Sequence, residues 1–446
     1  MAESFATFRD SSGGMRLRSV KAGNDPRNLA LDRRLVTFDS KWTNSFRVRA
    51  NGVVSGAALG AGYTTMSGGV AYRQSKVLPF GGSGPDRPTL AWQRNNGGAL
   101  NGGALGYARG YGVCGVSMTG SQIHISPARN TVDYVYYVFT VNPQTEEASG
   151  AGGIFLGRHP LYGTGLYIGR PGVDPRSASL DDMMLTTQRN HFQIAETAQT
   201  SSAHDTVVTD DPFPFTGPNQ SSPHSRRGFT INLNGWYPDY PPVIAYSTDM
   251  DPSDPSFQVK YSHNCSVFWL SPNQILVVTS LSGGVRVGIV GSDPAYAPGT
   301  AAEVVRIAKV RGQGYFVTKK GIDFRFAGPN DFLFRSDRQT PRFTGFAPII
   351  AGAPTGIYAL PNPPTTGGIP FSFFMAYWNP ETQWWCGCGM VLMQDAYRFT
   401  ISGTNYYFGP AVVAANYTIN TFKLYNNPTF SSGFFGSVAT MNVSDF

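Results

Sequence analysis

The sequence predicts an all-β chain made of three tandem, similar β-sandwich or barrel-like domains of about 150 residues. Three observations predict it. One phrase is written three times at a fixed interval. The composition is rich in turn formers and aromatics and poor in charge. Short apolar runs recur between turn signals.

The phrase is "KAGNDPRNLALDRRLVTFDS" from Lys21, "RPGVDPRSASLDDMMLTTQ" from Arg170 and "KKGIDFRFAGPNDFLFRSD" from Lys319. Its glycines are Gly23, Gly172 and Gly321, and both gaps are equal: 172 − 23 = 149 and 321 − 172 = 149. At the same offset Gly14, Gly163 and Gly312 match, as do Leu17, Leu166 and Tyr315, and the basic Lys21, Arg170 and Lys319. Downstream, Asp25, Asp174 and Asp323 match, and so do Arg27, Arg176 and Arg325. A glycine after a strand turns the chain at a backbone angle that glycine takes freely, and an aspartate just after it can bond its own backbone two residues on. The corner is read as fold-forming, with a thrice-repeated ligand site as the alternative.

Later landmarks recur with looser spacing. Leu90-Ala91-Trp92, Ile244-Ala245-Tyr246 and Met375-Ala376-Tyr377 form one set; strands begun by Cys114, Cys265 and Cys388 form a second; the apolar runs "VDYVYYVFTV", "GGVRVGIVG" and "YYFGPAVVAANY" form a third. Fixed strands joined by loops that tolerate insertion give this pattern. The polar, Gly/Pro-containing stretches Asn142 to Gly153 and Gly291 to Ala302 are the expected linkers. The domains are therefore placed at 1–146, 147–296 and 297–417, with 418–446 as a C-terminal extension. Two stretches are compatible with short helices, Leu180 to Leu185 and Ala301 to Ala308, and the Gly-rich Asn95 to Gly112 reads as an extended loop.

Charged residues are 14% of the chain, against about 25% in ordinary soluble domains. A large, weakly charged surface points to one covered by neighbours. The net charge is +7, but Lys and Arg are scattered, which argues against nucleic acid as a partner. No run of about 18 apolar residues is present and the N-terminal "MAESFATFRD" has no apolar core of a signal peptide, so the expectation is synthesis in a cytoplasm and no membrane insertion.

The chain has four cysteines, Cys114, Cys265, Cys386 and Cys388. Three begin apolar strands and are read as small buried hydrophobes; the Cys386-x-Cys388 pair lacks a second pair for zinc. None of the six histidines forms a metal or catalytic pattern, and Asp249, Asp251 and Asp254 depart from the calcium-loop pattern, so a solvated loop is favoured. No cofactor and no catalytic residue is expected. The run Phe371 to Gly389 is dense in aromatics. Trp384 and Trp385 are adjacent, so a strand puts them on opposite faces: one can be core, and the other must meet solvent, a partner or a ligand. Tyr377, Trp378, Trp384 and Trp385 are the candidate interface or receptor contacts.

The segment "KKGIDFRFAGPNDFLFRSDRQTPRF" resembles a signature of tail proteins of tailed bacteriophages: a Gly-x-Asp turn, then an apolar strand (here Phe332 to Phe334), then Ser336, Asp337, Arg338 and Thr340. The first copy matches through Gly23, Asp25, Phe38 and Ser40 with two extra loop residues; the second reads Leu-Thr-Thr where Phe-x-Ser stands elsewhere. The resemblance implies a non-enzymatic virion protein of a tail tip, baseplate or fibre-attachment region, made in the bacterial host's cytoplasm. Its expected partners are other tail proteins and copies of itself around a threefold or sixfold axis. A receptor- or glycan-binding tail protein that contacts the host surface is the alternative, and a glycan-cleaving tail enzyme the third reading. The last needs a carboxylate pair about 5–10 Å apart, and the sequence singles out none.

Overall fold

A computed structural model describes residues 5–11, 13–21, 23–31, 35–41, 47–58, 64–67, 70–73, 75–79, 89–100, 103, 105–113, 115–119, 122–126, 132–140, 153–188, 191–200, 205–208, 226–247, 263–279, 285–291, 305–308, 314–318, 322–323, 325–327, 331–336, 338, 340, 342–349, 356–359, 371–378, 384–389, 397–401, 404–408, 412–418, 421–426 and 434–442. At 64–79, 115–126, 305–308 and beyond 341 it gives the backbone path.

The chain is mostly β, arranged as several antiparallel sheets. The first stretch gives β1 (Phe5–Arg9), β2 (Met15–Val20), β3 (Val36–Asp39), β4 (Arg47–Ser55), β5 (Thr64–Ser67), β6 (Val70–Arg73), β7 (Ser75–Pro79), β8 (Thr89–Asn95), β9 (Gly98–Leu100), β10 (Leu105–Tyr107), β11 (Arg109–Val113), β12 (Gly115–Thr119), β13 (Gln122–Ser126) and β14 (Asp133–Thr140). Then come β15 (Ile154–His159), β16 (Gly163–Gly169), β17 (Met183–Thr186), β18 (Ile194–Gln199), β19 (Thr206–Val208), β20 (Arg226–Asn232), β21 (Val243–Ser247), β22 (His263–Asn264), β23 (Ser266–Ser271), β24 (Gln274–Thr279) and β25 (Val285–Val290). The last are β26 (Val305–Ala308), β27 (Gly314–Thr318), β28 (Phe332–Arg335), β29 (Arg342–Ile349), β30 (Gly356–Ala359), β31 (Phe371–Trp378), β32 (Trp384–Gly389), β33 (Tyr397–Ile401), β34 (Thr404–Phe408), β35 (Val412–Thr418), β36 (Thr421–Asn426) and β37 (Phe434–Asn442).

The phrase repeated in the sequence builds the same small sheet three times: β1-β2-β3, β15-β16-β17 and β26-β27-β28. Each breaks register at the same point. Ser19 faces Phe38 and Val20 faces Val36; Ile168 faces Leu185 and Gly169 faces Met183; Val317 faces Phe334 and Thr318 faces Phe332. Middle strands end at Val20, Gly169 and Thr318, 149 residues apart, while third strands end at Asp39, Thr186 and Arg335. The differences are 186 − 39 = 147 and 335 − 186 = 149, so the first corner loop carries two more residues.

The rest of each stretch also repeats an order. β4-β14-β8-β11, β18-β25-β21-β22 and β29-β37-β31-β32 are three runs of hydrogen-bonded neighbours with the same chain logic, and β7-β13-β12, β20-β24-β23 and β30-β36-β35 are three more. These runs fuse across the chain. Strand β23 pairs with β11 (Ser266 opposite Gly112), giving an eight-stranded sheet from β19 to β4; β12 pairs with β32 (Gly115 opposite Cys388), giving a seven-stranded sheet from β29 to β7. Strands from either side of the expected 146/147 boundary thus share one sheet. One apolar cluster runs from Val48, Trp92 and Tyr137 through Phe192 and Phe229 to Trp269 and Val290. Its buried indoles keep hydrogen bonds: Trp92 Nε1 donates to Val243 O at 3.2 Å and Trp269 Nε1 to Pro241 O at 3.0 Å, as buried Trp requires.

Several elements differ from the sequence reading. The Gly-rich Asn95 to Gly112 is no open loop: it contains the β9–β10 hairpin and most of β11. Of the two helix-compatible stretches, the first is a 3-10 turn at Leu180–Asp182 leading into β17, and the second contains strand β26. Val305 and Ile307 are β-branched and gain ladder bonds to β27, which outweighs the weak helix propensity of a short run. Residues set apart as an extension from 418 onward supply β36 and β37, and β37 lies between β29 and β31 in the position that β14 and β25 hold in theirs. Both expected linkers lie almost wholly outside the described residues.

Candidate functional site

Three small sheets of like construction have matching apolar faces, and burying those faces on one another removes all of them from water together. The result is a single cluster of Leu17 and Phe38, Leu166, Ile168, Met184 and Leu185, and Val317, Leu333 and Phe334. Each sheet contributes to it. Phe38 and Phe334, which hold equivalent places in their sheets, meet edge to face with ring centroids 5.3 Å apart.

Polar contacts also link residues in and just past the three small sheets. Thr340 N donates to Thr37 O at 3.0 Å, and the Thr37 hydroxyl donates to Ser336 O at 2.8 Å. Arg47 forms an isolated bridge to His191, whose ring stands edge-on to Phe334 at 5.8 Å. Gln193 accepts from Arg335 N and donates to Arg335 O, both at 3.0 Å, while Arg338 donates to the Gly291 carbonyl. Gln193 is 2% exposed, so its amide is held by the last third of the chain rather than by water.

The first two sheets are also pinned by a hydroxyl just past the third strand. Leu17 N donates to Ser40 Oγ at 3.0 Å, and Leu166 N donates to Thr187 Oγ1 at 3.1 Å. The Leu-Thr-Thr of the second copy, which departs from Phe-x-Ser in sequence, therefore puts a hydroxyl and an apolar side chain in the same two places.

Among the described residues of the three small sheets, a buried charge cluster is found in the first. Arg16 and Arg18 alternate with Leu17 and so share the face opposite it. Arg16 Nε donates to both Asp39 carboxylate oxygens at 2.9 and 3.0 Å, and Arg18 Nε lies 3.2 Å from Oδ2. Asp39 also accepts from Lys41 N at 3.0 Å, and Lys41 Nζ pairs with Asp10. Burial pushes the Asp39 carboxyl up, against the pull of Arg16 and Arg18. Arg18 reaches on to Pro26 O and Asn28 O, tying the corner loop to the sheet. Sequence reading missed this cluster. Its signal is the alternating Arg16-Leu17-Arg18 of a strand whose partner carries Asp39.

The three corners are alike in detail. Asn24 N donates to Lys21 O and Val173 N to Arg170 O, closing turns in which Gly23 has φ +86° and Gly172 φ +83°. Arg27 N, Arg176 N and Arg325 N donate to Asp25, Asp174 and Asp323 at 2.9, 3.0 and 3.0 Å, the same Asx turn three times. Arg325 also pairs with Asp323 through its guanidinium, at an exposed site; Gly321 lies outside the described residues. No atom stands within 4 Å of a Cβ added at Gly172, so only backbone strain opposes one. Gly172→Ala is expected to cost about 1–2 kcal/mol, read by denaturant unfolding, with the fold retained.

Tyr377 is paired with Trp385 and Trp378 with Trp384 across the β31–β32 hairpin. Cys265 is buried between β22 and β23, where the chain leaves one sheet for another. Cys114 and Asp249, Asp251 and Asp254 lie outside the described residues. Among the described residues no group of three or more His, Cys, Asp or Glu is placed to hold a metal, and no helix is long and apolar enough to cross a membrane. Elsewhere, Glu196 accepts from Asn234 N, Gly235 N and the Tyr237 hydroxyl at 2.6, 2.8 and 3.0 Å; burial, then the Glu196 charge, pushes the Tyr237 phenol up. That arrangement fixes a turn beside exposed Trp236.

The fold and site define an all-β chain of fused antiparallel sheets organised about a shared apolar junction. No known protein family, no curated protein and no solved structure matches it.

Proposed function

We propose that this chain is three tandem copies of one β unit and that it serves as a non-enzymatic structural protein of a phage virion, in the tail tip, baseplate or fibre-attachment region. The observation that carries the reading is the junction at Leu17, Leu166 and Val317, where three sheets with the same strand order and the same register break share one core. A chain with three like faces around one centre presents three similar edges and loops to a threefold or sixfold environment. Differences among the copies, such as the β9–β10 and β33–β34 hairpins, give each place its own neighbour. Its partners on this reading are other tail proteins and further copies of itself; it needs no cofactor. Mass spectrometry of purified particles tests the location: the chain is expected in stoichiometric amounts, and its absence from intact virions removes the reading.

The second reading, attachment to a host receptor or glycan, rests on the four aromatics at the end of the β31–β32 hairpin. If they are the contacts, Trp384→Ala or Trp385→Ala lowers binding of the purified protein to host cells by about 10-fold or more while its melting temperature holds. Equal binding by wild type and both variants rejects it.

A further inference from the structure

The three units exchange hairpins in a cycle, and the cycle has one open seam. In the first stretch the chain leaves β11 and at once enters β12, which pairs not with β11 but with β32 of the last stretch. In the second, it leaves β22 through Cys265 and enters β23, which pairs with β11 of the first stretch. The rule is the same in both: the outer strand of the hairpin crosses to cover, antiparallel, the edge that another unit's sheet presents. The second unit's hairpin covers the first unit's edge, and the first unit's hairpin covers the third's. Among the described residues one hairpin and one edge of this set remain uncovered. The third hairpin, β35–β36, ends its sheet at β35; the second unit's sheet ends at β22.

We infer that β35 is a strap that closes on the β22 edge of the same chain, completing a ring of three exchanged hairpins. The inference rests on the three-copy reading above and adds the partner of its one unpaired seam. One argument favours closure within the chain over exchange with a second copy. The three small sheets share one apolar cluster, and Gln193, a little past the second, is hydrogen-bonded to Arg335 of the third, so the second and third units sit side by side around it. The physical reason this seam differs is also visible. In the other two units one residue separates the edge strand from the crossing strand; in the third, β32 ends at Gly389 and β35 begins at Val412, with the β33–β34 hairpin inserted between. The crossing strand is thus tethered by a long insertion rather than launched by a sharp corner, and its closure is a loop-ordering step of its own. Closed, the strap removes two open sheet edges, which otherwise template pairing with other chains.

The register of the β11–β23 junction, where Ser266 faces the residue before the end of β11, places Val412 opposite His263. A His263→Cys, Val412→Cys double variant of the full chain is expected to form an intrachain disulfide under mild oxidation, found by mass spectrometry of the linked peptides in a monomeric band. Gly112→Cys with Ser266→Cys at the formed junction is the control. A 263–412 link found only between chains, or no link while the control forms, overturns the strap but leaves the three-copy reading standing; failure of the control overturns that reading as well. Hydrogen exchange on the unaltered protein tests the strap independently. Amides of Val412–Thr418 are expected to exchange as slowly as those of β23, to within about tenfold. Exchange of alternate β35 amides at loop rates overturns it.

Discussion

Asp39→Ala is expected to lower stability by about 3–5 kcal/mol, among the largest effects of any polar substitution in the chain, as read by urea unfolding followed in the N-terminal sheet. The reason is not that the Arg16–Asp39 pair contributes that much. Two guanidinium groups and the carboxylate are buried together, with Asp39 1% and Arg18 3% exposed. Removing the anion leaves Arg16 and Arg18 as like charges out of water, with the opposite charge that offset their desolvation gone. Arg18 keeps its carbonyl partners Pro26 and Asn28; Arg16 loses three contacts. It follows that Arg16→Met combined with Asp39→Leu recovers part of the loss, because one of the two guanidinium groups goes with the anion while Arg18 keeps its carbonyl partners. A loss below about 1 kcal/mol for Asp39→Ala, the size of an exposed pair, removes the argument.

The all-β character was legible in sequence because strand-forming residues and turn formers alternate locally, and local preference and fold agree here. The small sheets were legible for a second reason: Gly23, Asp25 and Arg27 form a corner whose backbone angle and Asx turn depend on residue type, so the corner recurs in letters as well as in space. What escaped was everything long-range. Nothing in the letters of Tyr111 and Val267 says that they face each other across β11 and β23. Register between distant strands is set by burial on both sides, and a continuous apolar run such as Val285–Val290 fits many partners. Cys265 was read as a small buried hydrophobe, which it is; that it marks the step from β22 to β23 needed the sheet order. The last third was misaligned by its insertion. The run Tyr406 to Tyr417 has the apolar character of β14 and β25, but by sheet position their counterpart is β37, beyond it.

Phe334→Ala is expected to cost about 3–5 kcal/mol, and its reach is more informative than its size. Phe334 is 1% exposed and contributes to the junction with Phe38, Leu166, Ile168, Met184 and Leu185, which come from sheets about 150 and 300 residues away in sequence. A cavity there removes contacts from all three sheets at once. Hydrogen exchange is therefore expected to quicken in β2 and β16 as well as in β27, by comparable factors. Phe316→Ala is the contrast. Its side chain is 3% exposed and packs in a separate cluster with Phe332 and with Ala327 of the corner loop, all within the third small sheet and its loop, with Arg335 over both rings. That substitution removes a similar apolar volume, yet its effect stays within β26, β27 and β28. A double-mutant cycle between Phe38→Ala and Phe334→Ala then isolates the edge-to-face pair, with a coupling of about 0.5–1.5 kcal/mol. If Phe334→Ala quickens exchange only in its own sheet, the three sheets do not act as one junction, and three like surfaces no longer follow from a common centre.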